Sequence, residues 1–407
     1  MKINLMKTMA LVIVGGLVTF QACKKSSEPQ PLNLATVVAG TADLNAATPP
    51  TNVDPKAVIT VTFSANVNAT TATTSNVTLK RTFDNSPVDI AVASSAKTVT
   101  ITPAKPLDAG NAYELDLNAG LMSTDGVAFI PVNRTFTVIG AFAPPGAVAY
   151  WTFENTTDDQ TGAFIAPASG IVDVTYATGR NTGAGMAASF NGTTTIIEYP
   201  NGPNLVNTTD FSLSLWVKPD SSAHHGGNFV LGIGGFDGFE FEINKNDCKL
   251  AAQYQTGSTT NGQDLWLDGT GNVGFSGWTF SKDLRPPGFA AIVQQTWAHF
   301  VFTYEGATKL GTIYLNGVKV KTQDFNAYPA DSPFLTATGL KFNTTATGVG
   351  TNFALGYYSD RATTAFGWAT YTDVTTNHFK GLMDDVYIYH TALSASVVTQ
   401  MYNTGKP

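Results

Sequence analysis

From about residue 36 to 140, apolar and polar positions alternate in short runs: VITVTFS, NVTLKR, TVTITPA, AYELDLN and RTFTVIG. A period of two places every second side chain on one face, the signature of a half-buried strand. Turn clusters such as NVDPKA, FDNSPVD, LDAGN and STDGV separate the runs at sandwich-like intervals. The segment AFAPPGA then breaks the pattern, and residues 141–146 read as a stiff linker. Alternation resumes in VAYWTFE, TTIIEYP, FSLSLWVKP, FVLGIGG, GFEFEIN, KLAAQYQ, HFVFTYE, TIYLNGVKV, NFALGYY and GLMDDVYIY. One short helix, SASVVTQMYN, closes the chain with Ser394 as its N-cap. The pattern predicts an all-β protein with two domains, residues 36–140 and 147–407.

Two stretches carry resemblances. NVDPKAVITVTFSANVNATTATTSNVTLK followed by KTVTITPAKPLDAGNAYELDLNAGLMSTDG resembles the bacterial Ig-like domain of surface-layer and outer-membrane proteins. That resemblance implies a spacer or stalk and no chemistry. AASFNGTTTIIEYPNGPNLVNTTDFSLSLWVKPDSS, TWAHFVFTYEGATKLGTIYLNGVKV and FKGLMDDVYIYHTALSASVVTQMYN resemble, in that order, the laminin G-like, concanavalin A-type lectin/glucanase jelly roll. Residues 255–295 and 359–378 stand as insertions over the common core, and Asn191 replaces an Asp usual in the family. The fold class expected is therefore an Ig-like β-sandwich followed by a larger concanavalin A-like jelly roll.

Composition sharpens the setting. MKINLMK, an apolar core TMALVIVGGLVTF and FQAC at residues 20–23 form a secretory signal too short to span a membrane as a helix. The stretch resembles a bacterial lipoprotein signal, which implies cleavage of residues 1–22, a lipid on Cys23 and a polar tether over 23–35. The protein is then held on the bacterial envelope, on the outer membrane or at the cell surface, and its membrane contact is the lipid. Loss of Lys2 and Lys7 leaves 21 basic against 30 acidic residues, a balance that argues against nucleic acid as partner. With Cys23 lipidated, Cys248 has no partner for an intrachain disulfide, and stability rests on core burial.

Candidate chemistry is sparse. In GLMDDVYIY strict alternation places Asp384 with Leu382, Val386 and Ile388, and Asp385 opposite with Met383, Tyr387 and Tyr389, which excludes a catalytic dyad. The family resemblance marks Asp384 as an inward acid where relatives hold a structural calcium, with Glu154 as second ligand and Asp158 or Asp159 as lesser choices. The other reading is that backbone amides satisfy Asp384. Glu240 and Glu242 share a strand face about 6.6 Å apart, within the range of glycosidase carboxyl pairs. The glucanase pattern Glu-x-Asp-x-x-Glu fails here, since Glu242 replaces the Asp and Lys245 stands in the last acid's place. A solvated outer face is the expectation for the pair.

His224 and His225 have no neighbouring acid or cysteine to complete a zinc site. Trp151, Trp216 and Trp297 fall at core positions of the family. Trp266, Trp278 and Trp368 lie in the insertions beside Tyr371, Arg285 and Arg361, where flat aromatic faces and polar groups suit sugar binding or, alternatively, pin long loops onto the sandwich. The function expected is a non-catalytic carbohydrate-binding lipoprotein. A protein-binding adhesin is the alternative, and a glycoside hydrolase ranks third.

Overall fold

A computed structural model describes residues 28–220, 222, 228–275, 277–367, 370–373 and 377–407. Cys23, His224, His225 and Trp368 lie outside the described residues, as does the signal segment.

The first domain is a two-sheet sandwich. A five-stranded sheet runs in the order Ala42–Asp43, Leu34–Ala39, Ile59–Phe63, Thr98–Pro103 and Ile90–Ser95. A three-stranded sheet of Val77–Arg81, Ala112–Leu117 and Val132–Thr137 faces it. Alternation explains the core: Ile59, Val61 and Phe63 point in with Tyr113, Leu115 and Leu117, while Thr60 and Thr62 point out. The domain also takes in Leu32, buried in that core, so the chain is docked before the expected end of the tether at residue 35.

The second domain packs an eight-stranded sheet against a nine-stranded one. The first contains Ile171–Val172, Ile196–Tyr199, Phe353–Leu355, Asn228–Ile233, Phe239–Ile243, Cys248–Thr256 and Thr259–Leu267 in spatial order, with Ala337–Leu340 paired to Cys248–Thr256. The second runs Thr175–Thr178, Met186–Asn191, Lys380–Tyr389, Phe211–Pro219, Ala298–Glu305, Leu310–Leu315, Val318–Asp324 and Trp278–Ser281, with Ala147–Trp151 beside the Lys380–Tyr389 strand. Between the sheets, Phe211 meets Phe239 at 5.1 Å and Phe241 meets Phe300 at 5.1 Å between ring centroids. Burying such rings drives sheet-on-sheet packing.

The insertion over 255–295 is regular structure rather than loose loop: it supplies edge strands to both sheets and a short helix, Phe289–Val293. With Pro203–Val206, that makes two short α-helices beyond the one expected among the described residues. The closing helix, Ala395–Gly405, starts at Ser394, whose hydroxyl accepts from the Val397 N–H. It lies on the outer face of the nine-stranded sheet, where Val398 covers Val301 and Tyr314 and Tyr402 stacks over Trp216.

The Pro-rich linker is docked on both sides. Phe142 is buried and meets Phe83 of the first domain at 5.3 Å. Its N–H donates to Thr404 Oγ1 at 3.0 Å, and Tyr389 donates its hydroxyl proton to the Pro144 carbonyl at 3.1 Å.

Candidate functional site

Alternation in the eight-stranded sheet sends Phe239, Phe241, Leu250, Ala252 and Leu265 into the core and their neighbours outward. Register then assembles two outward rows. One crosses five strand pairs, as Glu198, Ala354, Gly232, Glu240, Ala251 and Asp264 stand opposite one another in sequence. The other is Phe229, Glu242, Lys249 and Trp266. Three carboxylates separated by small residues thus share one line, with a lysine and a tryptophan beside it.

The outward direction was correctly anticipated for Glu240 and Glu242, but the solvated surface was not. Glu240 is fully buried and Glu242 nearly so. The chain around 356–367 folds over the row: the Tyr358 carbonyl lies so close to Gly232 that a Cβ there would come within 2.1 Å. The Tyr358 ring packs on Phe229 at 4.6 Å, and Phe366 spans Tyr358 and Phe236 at 5.8 and 5.6 Å. Lys249 answers both acids, its Nζ 3.1 Å from Glu240 Oε1 and 3.1 Å from Glu242 Oε1. That ammonium also sits 4.4 Å from the Phe236 ring centre and 5.3 Å from that of Trp266, positions that favour a cation over a π face.

Burial pushes the Glu240 carboxyl up to about 8, against the pull of Lys249. Glu242 and Asp264 are raised for the same first reason. Burial pulls on Lys249 in the opposite sense, but Glu240, Glu242 and Asp264 outweigh it and leave the lysine raised. A carboxyl held near 8 has the acidity of a general acid. A fully buried one whose ion-pair partner is a lysine 3.1 Å away has no face left for a scissile bond.

The other anticipated residues divide into separate environments. Trp266 is half-buried beside Lys249 on the eight-stranded sheet. Trp278 belongs to the far edge of the nine-stranded sheet, is 9% exposed within the core, and carries Lys321 Nζ 4.2 Å from its ring centre. Arg285 is exposed and pairs locally with Asp283 at 2.9 Å. Arg361 and Tyr371 do come together: Arg361 binds Glu198 through its backbone N–H and its guanidinium, 2.6 Å away in each case, and also bonds the Ser169 carbonyl. Tyr371 lies 5.9 Å from that guanidinium and donates to the Thr194 carbonyl at 2.5 Å. These contacts hold the covering segment down. Asn191, the departure from the family's Asp, organises its turn by accepting from the Thr193, Thr194 and Thr195 N–H groups at 2.8, 2.9 and 3.1 Å.

The acidic pair at 384–385 is arranged differently from the alternating pattern. Ser214 faces Tyr387 and Trp216 faces Asp384, so Asp385 and Val386 together oppose a single residue of the neighbouring strand. This is a β-bulge, and Asp385 takes the left-handed backbone it requires, with φ 45°. The bulge shifts the parity. Met383, Val386 and Ile388 enter the core, while Asp384 goes outward with Tyr387.

Both acids then converge on Arg180. Its Nη1 is 2.5 Å from Asp384 Oδ2 and its Nη2 2.5 Å from Asp385 Oδ2. Its Nε donates to the Gly405 carbonyl at 2.6 Å, and its guanidinium lies 4.7 Å from the centre of the Trp216 ring. Burial and the adjacent Asp385 push the Asp384 carboxyl up against the pull of Arg180.

As arranged, these residues do not fit the calcium ion expected of Asp384 and Glu154. Calcium takes six to eight oxygens, whereas Asp384 meets a guanidinium and Glu154 accepts from the Met186 N–H at 3.1 Å. Asp159 is spent on backbone amides, those of Tyr150, Thr161, Ala163 and Phe164. Among the described residues, no three His, Cys, Asp or Glu side chains are grouped so as to hold a metal ion. Arg180 was missed from sequence. Its signal was present: an acid on an apolar strand demands a cation, and TGRNTG offers an isolated arginine in an otherwise uncharged stretch.

A family profile described as the concanavalin A-like lectin/glucanases superfamily matches residues 191–399, just over half of the chain. The chain belongs to the concanavalin A-like lectin/glucanases superfamily. A bacterial Ig-like domain profile matches residues 36–138, in agreement with the first sandwich. No curated protein matches this superfamily member by sequence.

Among solved structures, it is similar to domain 4 of AbnA, a GH43 extracellular arabinanase from Geobacillus stearothermophilus, in complex with arabinotriose. That match has 23% identity and a TM-score of 0.38, over 63% of this chain and 98% of that one. The binding domain of Paraclostridial Mosquitocidal Protein 1 matches at 14% identity and TM-score 0.41, over 63% and 52%. The botulinum neurotoxin serotype G binding domain matches at 12% and 0.40, over 63% and 50%. The chain thus spans about half the length of these toxin domains.

The concanavalin A-like lectin/glucanase fold fits a binding module for carbohydrate or protein.

Proposed function

We propose that this protein is a non-catalytic glycan-binding module of the bacterial cell envelope, attached through a lipid on Cys23 and carried on its Ig-like domain as a spacer. The observation that carries the non-catalytic part is the state of Glu240 and Glu242. The strand on which the glucanase resemblance would place its acids, Phe239–Ile243, carries two carboxylates that are buried, share one lysine at 3.1 Å and lie beside Tyr358 and its neighbours. With that acid pair out of reach, we read the lectin/glucanase sandwich for binding.

The test pairs a glycan array with a reducing-sugar assay on the full mature chain. Binding without sugar release supports the reading. Release that Glu240→Gln abolishes overturns it.

A second reading, adhesion to a protein, draws on one patch. Phe275 is 69% exposed, and Val273, two residues before it, is also exposed, and apolar surface of that kind marks contact sites. Binding to no glycan, together with capture of a surface protein that Phe275→Ser abolishes, favours it.

A further inference from the structure

A cleft of about 430 Å³ opens where the linker joins the two domains. Its size is that of a small-ligand site, and domain junctions are a usual place for one. One wall comes from the Ig-like domain, through Arg81 and Asp108. The other comes from the jelly roll, through Tyr150, Thr152, Gln160 and Tyr387.

The last strand supplies the tyrosines. Beyond the bulge its alternation sends Val386 and Ile388 into the core and Tyr387 outward, directly opposite Tyr150 on the Ala147–Trp151 strand. The two rings lie 5.2 Å apart and within 9° of parallel, and Tyr389 continues the series 6.2 Å from Tyr387 at 13°. Tyr389 is fully buried under the Pro144 carbonyl, whereas Tyr150 and Tyr387 keep exposed surface on the cleft.

The facing wall decides the ligand's charge. Arg81 is held by Asp108 at 2.5 Å and by Asp84 at 2.8 Å. Its positive charge is therefore spent within the Ig-like domain, and half of Asp108 remains exposed. Such a wall repels an anion and accepts hydrogen bonds from hydroxyls. Flat aromatic surface, a carboxylate, an amide and a hydroxyl around one cleft match the alternating C–H and O–H surface of a sugar ring.

We propose that this interdomain cleft binds a neutral glycan unit, packed against the Tyr150–Tyr387 pair and hydrogen-bonded by Asp108, Gln160 and Thr152. The site rests on the glycan-binding reading above and gives it a location and a class of sugar. It also gives the Ig-like domain a share in recognition, since neither domain supplies both walls.

The test is titration calorimetry of the full mature chain against neutral pentose and hexose oligosaccharides, with uronic-acid oligomers as the anionic arm. Neutral oligosaccharides bind. Tyr150→Ala and Asp108→Ala each weaken binding at least about tenfold, and Trp266→Ala leaves it unchanged. Thr152→Trp, which fills the cleft, removes binding while the melting temperature stays near that of the parent. Neutral-glycan binding that survives Tyr150→Ala and Thr152→Trp overturns the site and leaves the glycan-binding function standing. Preference for uronic-acid oligomers overturns the neutral class. Binding to no oligosaccharide overturns the function and the site together.

Discussion

Replacing Arg180 by methionine removes the cation that faces two carboxylates at the bulge. Arg180 and Asp384 have side chains of zero exposure, and Asp385 retains 17%. Breaking a buried ion pair by removing one partner costs roughly 3–5 kcal/mol, because the remaining charge is left buried and unpaired. The same change loses the bond to the Gly405 carbonyl, which ties down the closing helix. At about 2–4 °C per kcal/mol for a domain of this size, the melting temperature falls by roughly 6–20 °C.

The deficit depends on pH in a fixed direction. Without the guanidinium, Asp384 has a folded-state pKa further above its unfolded value of about 3.9. Between those values the folded state binds more protons, so stability falls as pH rises. With the wild-type Asp384 carboxyl pushed up to about 9, the two forms lose stability in parallel below that pH, so the variant's deficit widens only above about pH 9, and adding Asp384→Asn recovers part of it there. Scanning calorimetry with and without a chelator reads all three. An unchanged melt for Arg180→Met, alongside a wild-type melt that drops on chelation, would show that the cation at this place is a metal and would refute the reasoning.

Three further outcomes are expected. Glu240→Gln flattens the pH dependence of stability: with its carboxyl pushed up to about 8, wild type loses stability relative to the variant as pH rises from about 4 through 8, and parallel melting curves would contradict this. Trp278→Ala costs about 3–5 kcal/mol through a core cavity with ligand affinity unchanged in the folded fraction, measured by denaturant titration; a loss of affinity at unchanged stability would return Trp278 to the ligand surface. Cys23→Ser moves the protein from the membrane fraction to the soluble fraction on cell fractionation; a chain that stays with the membrane has another anchor.

Local patterns were readable and long-range covering was not. Ile59, Val61 and Phe63 alternate with Thr60 and Thr62 in the sequence as they do in the sandwich, and Ser394 begins the helix it was expected to cap. The direction of Glu240 followed from the same period of two. Its burial did not, because the segment that covers it arrives more than 100 residues later, through contacts such as Tyr358 over Gly232. The bulge at Asp385 was invisible for a different reason: alternation assumes one residue per step, and an aspartate tolerates the left-handed turn without the glycine that would have announced it. One hidden insertion inverted the face of Asp384, which is why the buried ion pair escaped the sequence; Tyr387 keeps the face that alternation gave it, and the tyrosine cleft escaped because its other wall comes from the Ig-like domain.

The joint between the linker and the closing helix has a practical consequence. Phe142 and Thr404 are hydrogen-bonded, and the Cβ of Ala141 would stand 3.4 Å from one placed on Gly405. The jelly roll is thus threaded through a single doorway, with its first and last residues side by side. A module built that way can be spliced into a surface loop of an unrelated host as a cassette without stretching the host's chain. A fluorescent or affinity fusion placed after Pro407 would emerge at the same doorway, crowding the spacer and leaving the opposite pole of the jelly roll clear.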